Sequence, residues 1–217
     1  MTQPSIIIRP FKIDDKDSVR KICADTAFMG EPVERFFDFR DIFSDIAISY
    51  YTDYEPESLF IAECDGNVVG YLAGCKDTRR FKRIFSRRIL PRAFFSLLVK
   101  GAFFREKSAR LITSILKSFF KGELRRPDYL KDFPAHLHVN VQNLYRHIGA
   151  GTKLMERYFD YLRNNHIGGV HLYSFSSAGQ QFFQKLDFSK VFSQKVSYFE
   201  QLKLPEVYLY GFTKRIG

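Results

Sequence analysis

The chain predicts an α/β fold: a mixed, mostly antiparallel central sheet of about seven strands flanked by helices, with a basic helical insertion between the third and fourth strands. Three observations carry this. The stretch SLFIAECDGNVVGYLAGC holds two β-rich runs joined at Asp65-Gly66, a dipeptide suited to the positive φ angles of a tight hairpin. Farther on, the strand-like AHLHVNV gives way at a Gly-x-Gly turn to helical periodicity and then to a second β run, GGVHLYSF, the pattern of a parallel crossover. Between these units, residues 79 to 126 carry 15 Lys and Arg against only Glu106 and Glu123, so this segment is +13 and the remainder −3 of a net +10. So sharp a split assigns the basic character to an inserted element and not to the fold that carries it.

Taken in order, SIIIRPF reads as the first strand. A helix follows with Asp14 or Asp15 at its start and Val19, Ile22 and Cys23 on one face. A second helical stretch, VERFFDFRDIFSDIAISYY, spaces Phe36, Phe37, Ile42, Phe43, Ile46 and Ala47 helically, and the hairpin supplies strands two and three. Residues 78 to 130 form the insertion. Within it, KSARLITSILKSFFK places apolar residues at 111, 112, 115, 116, 119 and 120 and bases at 107, 110, 117 and 121, a basic amphipathic helix. RAFFSLLVKGAFFR, just before it, is apolar over more of its circumference and is expected to be buried or inserted in something. Strand four is AHLHVNV. The helix RHIGAGTKLMERYFDYLRNN follows with a core stripe of Leu154, Met155, Tyr158, Phe159 and Leu162. Strand five, a short helix in SSAGQQFFQKLDF, and the strands KVFSQKVSYFE and EVYLYGFTKRI complete a single domain over residues 1–217.

Composition narrows the classes. At 217 residues, 45% hydrophobic and 27% charged, the chain can bury one sizeable core. Cys23, Cys64 and Cys75 are too scattered for a disulfide framework or a zinc site, so they read as reduced core thiols, and a cytoplasmic location is expected. The N-terminus lacks a secretory pattern, and the longest apolar run, AFFSLLVKGAFF, falls well short of the ~20 residues that span a bilayer.

The turn at Gly149 and Gly151 opens a helix whose first amides and dipole favour an anion, phosphate being the usual guest. Three nucleotide motifs compete for it. GAGTK lacks the P-loop spacing; a dinucleotide fingerprint would need a third glycine where Leu154 stands and an acid at the end of the next strand, where HLYSF has none. Arg146-His147-Ile148-Gly149-Ala150-Gly151 fits the third pattern, Arg/Gln-x-x-Gly-x-Gly/Ala. With the order of elements, this resembles the GNAT superfamily of N-acetyltransferases over nearly the whole chain apart from residues 78 to 130.

The resemblance implies an acetyl-CoA-dependent enzyme that acetylates a primary amine by direct attack. It implies that the pyrophosphate of CoA lies on the turn formed by Arg146, His147, Ile148, Gly149, Ala150, Gly151 and Thr152, the two glycines giving clearance. Pantetheine would pair like a strand with Val139 to Val141, and an N–H near Val141 would polarise the thioester carbonyl. Ser176 and Phe183 match the pattern of the family's fourth helix, but Phe183 stands where a tyrosine usually serves as general acid, and a phenyl ring has no proton to give. Tyr173 or Tyr198 is the substitute candidate. For the base, His136, His138 and Asn140 share one parity of strand four, with His138 the candidate. The family's histidines on this strand lie one residue out of step with these, and a β-bulge would restore the facing. A non-catalytic acyl-CoA-binding module is the alternative function. The insertion has three readings: a hairpin packed on its own domain, an element for an anionic membrane surface through residues 79–126, or, third, a nucleic-acid-binding face.

Overall fold

A computed structural model describes residues 5–129, 131–199 and 206–217. Its seven-stranded sheet runs in the order β1 (Ile6–Pro10), β2 (Leu59–Cys64), β3 (Asn67–Cys75), β4 (Ala135–Val141), β5 (Gly169–Ser174), β7 (Val207–Arg215), β6 (Ser189–Val196). All neighbours are antiparallel except β4 and β5. The hairpin turns where expected: Asp65 and Gly66 both have positive φ, at 48° and 77°.

Helices cover both faces. α6 (Ala150–Asn164) lays Leu154, Met155, Tyr158, Phe159 and Leu162 on one face, joined by Phe183 of α7 (Ser177–Lys185). α1 (Lys16–Asp25) and α2 (Arg40–Asp53) cover the other with Val19, Ile22, Cys23, Ile48, Tyr50 and Tyr51. Asp15 does not cap α1. Its carboxylate takes the Lys12 N–H at 2.8 Å, closing a 3-10 turn, and pairs with Arg9 at 2.7 Å, which holds it below the usual carboxylate range. The second predicted helix begins later than expected, at Arg40, after a single 3-10 turn at Val33–Arg35. Phe36 and Phe37 are buried in the loop between them, where their rings join a third cluster under the β6–β7 end of the sheet.

The stretch between β3 and β4 forms α3 (Thr78–Ile84), one π-helical turn (Phe85–Ile89), α4 (Leu90–Val99) and α5 (Glu106–Phe120). Of the two readings of α4, burial within this chain is not what the structure shows: Phe94, Phe95, Leu98 and Val99 are exposed, and only Ala93 is buried. α5 likewise turns its apolar stripe outward. Its buried residues are Ser108, Leu111 and Ser118, and the two serines hydrogen-bond it to Asp38 and Ser197.

Tyr158 ties the layers together beneath the site. Its hydroxyl lies 3.0 Å from the carbonyl of His136 in β4 and 3.1 Å from both the N–H and the C=O of Cys75 in β3. Only glycine fits opposite, because a Cβ on Gly74 would fall 2.1 Å from the Tyr158 ring.

Candidate active site

Two features of the sheet and α6 build the site. β4 and β5 pair only at Ala135–Val170 and His136–His171, after which they part. Gln142 N–H bonds Val69 C=O, so in the antiparallel register the even-numbered residues of β4 exchange bonds with β3. The N–H and C=O of Leu137, Val139 and Val141 therefore point the other way, and for Val139 and Val141 that is into the gap. Arg146 confirms the direction: its Nε donates to Val141 C=O at 3.1 Å.

At the end of that gap stands the N-terminus of α6, which no side chain caps. Its first amides, on Ala150, Gly151 and Thr152, have no intrahelical acceptor by construction. Gly149 is the N-cap with φ +87°, a left-handed conformation that disfavours other residues, and a Cβ there would meet nothing within 4 Å. His147, before it, is also left-handed at φ 66°. At Gly151 a Cβ would approach Phe182 Cζ to 3.2 Å, so this glycine also lets α6 pack closely on α7. Ile148 is partly exposed at 38%.

The other matched positions divide. Ser176 caps α7, accepting the N–H of Gly179 at 3.2 Å. Phe183 is buried against Phe182, Phe188 and Phe212, so its ring serves the core. Val139 and Val141 pack their side chains on the α6 side.

On the opposite face, β4 runs without a bulge, and its polar parity faces α2 and α3. Thr78 Oγ1 donates to Pro134 C=O at 2.7 Å and so accepts from His136 Nδ1 at 2.7 Å; this leaves Nε2 to accept the Tyr51 hydroxyl at 2.9 Å. His136 is thereby a neutral ring with both nitrogens engaged. Burial, aided by nearby His171, His138 and Lys82, holds its pKa well below 6.5. Asn140 donates to the Tyr71 hydroxyl at 2.9 Å. His138 differs from both: its ring borders Tyr51 at 6.4 Å, it is solvent-exposed, and it has no hydrogen-bond partner among the described residues. The surrounding protein still lowers its pKa by desolvation.

β5 contributes His171 and Tyr173 to the same face. Sequence reasoning passed over His171, although its parity with Tyr173 on a strand beside His136 was a usable signal. His171 Nδ1 donates to Phe133 C=O at 2.8 Å, and burial lowers its pKa. Tyr173 lies 6.0 Å from that ring, with the Arg126 guanidinium 5.9 Å over its own. Burial and Tyr129 push its pKa up to about 12. Tyr198 is buried among Phe175 and Phe199 and is likewise raised to about 12 by burial. Among the described residues no group of His, Cys, Asp and Glu could hold a metal.

Solved structures with this arrangement decide the fold. SsHAT superposes with a TM-score of 0.72 at 24% identity over 99% of this chain and 100% of that one. The polyamine N-acetyltransferase of Drosophila melanogaster, which forms N-acetylagmatine, gives 0.63 at 14% over 97% and 100%. The chain has the GNAT N-acetyltransferase fold. A third structure, yncA from Salmonella typhimurium, solved with its cofactor acetyl-CoA, gives 0.59 at 13% over 98% and 94%. Neither a family model nor a curated protein matches the sequence.

Two rings held neutral by burial, His136 and His171, with a smaller share from His138, give this fold a specific response to acid. A histidine whose folded pKa is depressed binds fewer protons folded than unfolded once the pH drops below 6.5, so stability falls with pH from there down to the folded pKa. The slope is at most about 1.4 kcal/mol per pH unit for each ring, and the exposed His138 contributes least. Urea unfolding at pH 7.0 and 5.5 checks this; equal midpoints would contradict the neutral state of His136 and His171.

Proposed function

We propose that the protein is an acetyl-CoA-dependent N-acetyltransferase that acetylates a primary amine by direct attack. The observation that carries it is the coincidence of two backbone edges, the side of Val139 and Val141 that β5 leaves unpaired and the uncapped amides of Ala150 to Thr152, at adjoining ends of β4 and α6. An extended pantetheine arm and its pyrophosphate need just these groups. The related fold of yncA, which takes acetyl-CoA, supports the choice of donor.

In this reading the amides of Ala150, Gly151 and Thr152 hold the pyrophosphate, and Arg146 and His147 flank it. Val139 and Val141 align the thioester and donate an N–H to its carbonyl oxygen as charge grows there. His138 takes the proton lost by the amine as the new C–N bond forms. Tyr173 keeps its proton through neutral pH, its pKa being about 12, and gives it to the sulfur as the C–S bond breaks. His136 holds the strand and takes no proton, since both its nitrogens are engaged.

Mixing the protein with acetyl-CoA and a panel of primary amines is expected to release CoA thiol in an amine-dependent manner. Acetyl-CoA binding without thiol release for any amine would favour a non-catalytic acyl-CoA-binding module. No binding at all would reject both readings.

A further inference from the structure

The α4–α5 segment turns the wrong side outward for a helical hairpin that only covers its own domain. Buried positions here are Ala93, Ala102, Ser108, Leu111 and Ser118, mostly small or polar, while Phe95 and Val99 on α4, Phe104 in the turn, and Leu116, Phe119 and Phe120 on α5 are at least half exposed. Phe104 is 92% and Phe120 85% exposed. On each helix these residues recur at i and i+4, forming a stripe. Monomeric proteins rarely leave so many large apolar side chains together in water.

Hydrogen bonds fix this outward rotation. At the N-terminal end of α5, Ser108 donates its N–H and hydroxyl to Asp38 Oδ2 at 3.0 and 2.7 Å and accepts the Asp38 N–H at 3.1 Å. At the C-terminal end, Ser118 meets the Ser197 hydroxyl at 3.2 Å, and Glu123 accepts the Ser197 N–H at 2.8 Å. Turning the Phe stripe inward would break both anchors.

Charge identifies the occupant. Of the 15 bases between Arg79 and Arg126, only Lys100, Arg110 and Lys121 pair with a carboxylate among the described residues. Arg87, Arg88, Arg92, Arg105 and Lys117, on the same segment, are exposed. A second copy of this surface would bring like charges together, whereas an anionic bilayer offers acyl chains to the rings and headgroups to the bases. No helix among the described residues is long and apolar enough to cross a membrane, so the contact is peripheral.

We propose that α4, α5 and the turn between them dock the protein on an anionic membrane surface. This is independent of the proposed chemistry. The test is sedimentation of the full chain with vesicles of phosphatidylcholine alone or mixed with phosphatidylglycerol, alongside the double variant Phe119→Ser/Phe120→Ser. The parent is expected to sediment with the mixed vesicles, less so in high salt, and to stay in the supernatant with neutral ones. The double variant should bind at least about tenfold more weakly with an unchanged unfolding midpoint, since both side chains are solvent-exposed. Equal recovery in the supernatant with both vesicle types overturns the proposal. So does undiminished binding by the variant, or a parent dimer in sedimentation equilibrium that leaves vesicles unbound.

Discussion

His138→Ala is expected to lower kcat/KM for acetyl transfer by about 100-fold or more while changing acetyl-CoA affinity by less than about twofold. Three histidines share this face of the sheet, and their surroundings separate their roles. His136 is held between the Thr78 and Tyr51 hydroxyls, and His171 is tied to Phe133 C=O. Only His138 combines solvent access, a ring without a partner among the described residues, and a pKa lowered by desolvation. A base must reach the amine and be unprotonated at working pH, and His138 meets both conditions. The acid limb of the pH–rate profile should accordingly lie below pH 6.5. An unchanged rate in the variant would remove His138 from the mechanism. A Tyr51→Phe control, which disturbs His136 instead, separates loss of the base from a general disturbance of the strand.

Gly149→Val should weaken acetyl-CoA binding at least about thirtyfold, or ~2 kcal/mol. At φ +87° a β-branched residue is strongly disfavoured, so the turn must change shape and the amides of Ala150 to Thr152 lose their common direction. The substituted side chain would also extend into the open space where a pyrophosphate must approach. Gly151→Ala makes the contrast. Its added methyl meets Phe182, 3.2 Å away, so this change should lower the unfolding midpoint more than the affinity. Isothermal titration paired with thermal unfolding distinguishes the two. If both glycines affect affinity alike, the assignment of Gly151 to helix packing is wrong.

Period and turn chemistry were enough to read the sheet from the sequence. The Asp65-Gly66 hairpin, the strand pair around the α6 crossover and the Gly149 turn are all local signals, and each stands where the residues predicted. Parity was equally direct: His136, His138 and Asn140 oppose Leu137, Val139 and Val141, as alternation on a bulge-free strand requires. Long-range contacts were not legible. Thr78 and Tyr51 lie 58 and 85 residues from His136, and nothing local announces that they fix its protonation. Phe183 could be read as a missing acid, yet its burial beside Phe188 and Phe212 required the fold. The outward stripe on α5 illustrates the limit of periodicity. Spacing fixed which residues share a face, while Ser108 and Ser118, through Asp38 and Ser197, determined which face turns in.

The central claim is that acetyl-CoA occupies the gap beyond His136 on β4 and the N-terminus of α6. Hydrogen exchange of the full chain with and without saturating acetyl-CoA tests it most directly, because the groups invoked are backbone amides. Slowed exchange is predicted at Val139, Val141 and Ala150 to Thr152, with β1 and β2 unaffected. Saturation that leaves those amides unprotected, or protects a different part of the sheet instead, would contradict it.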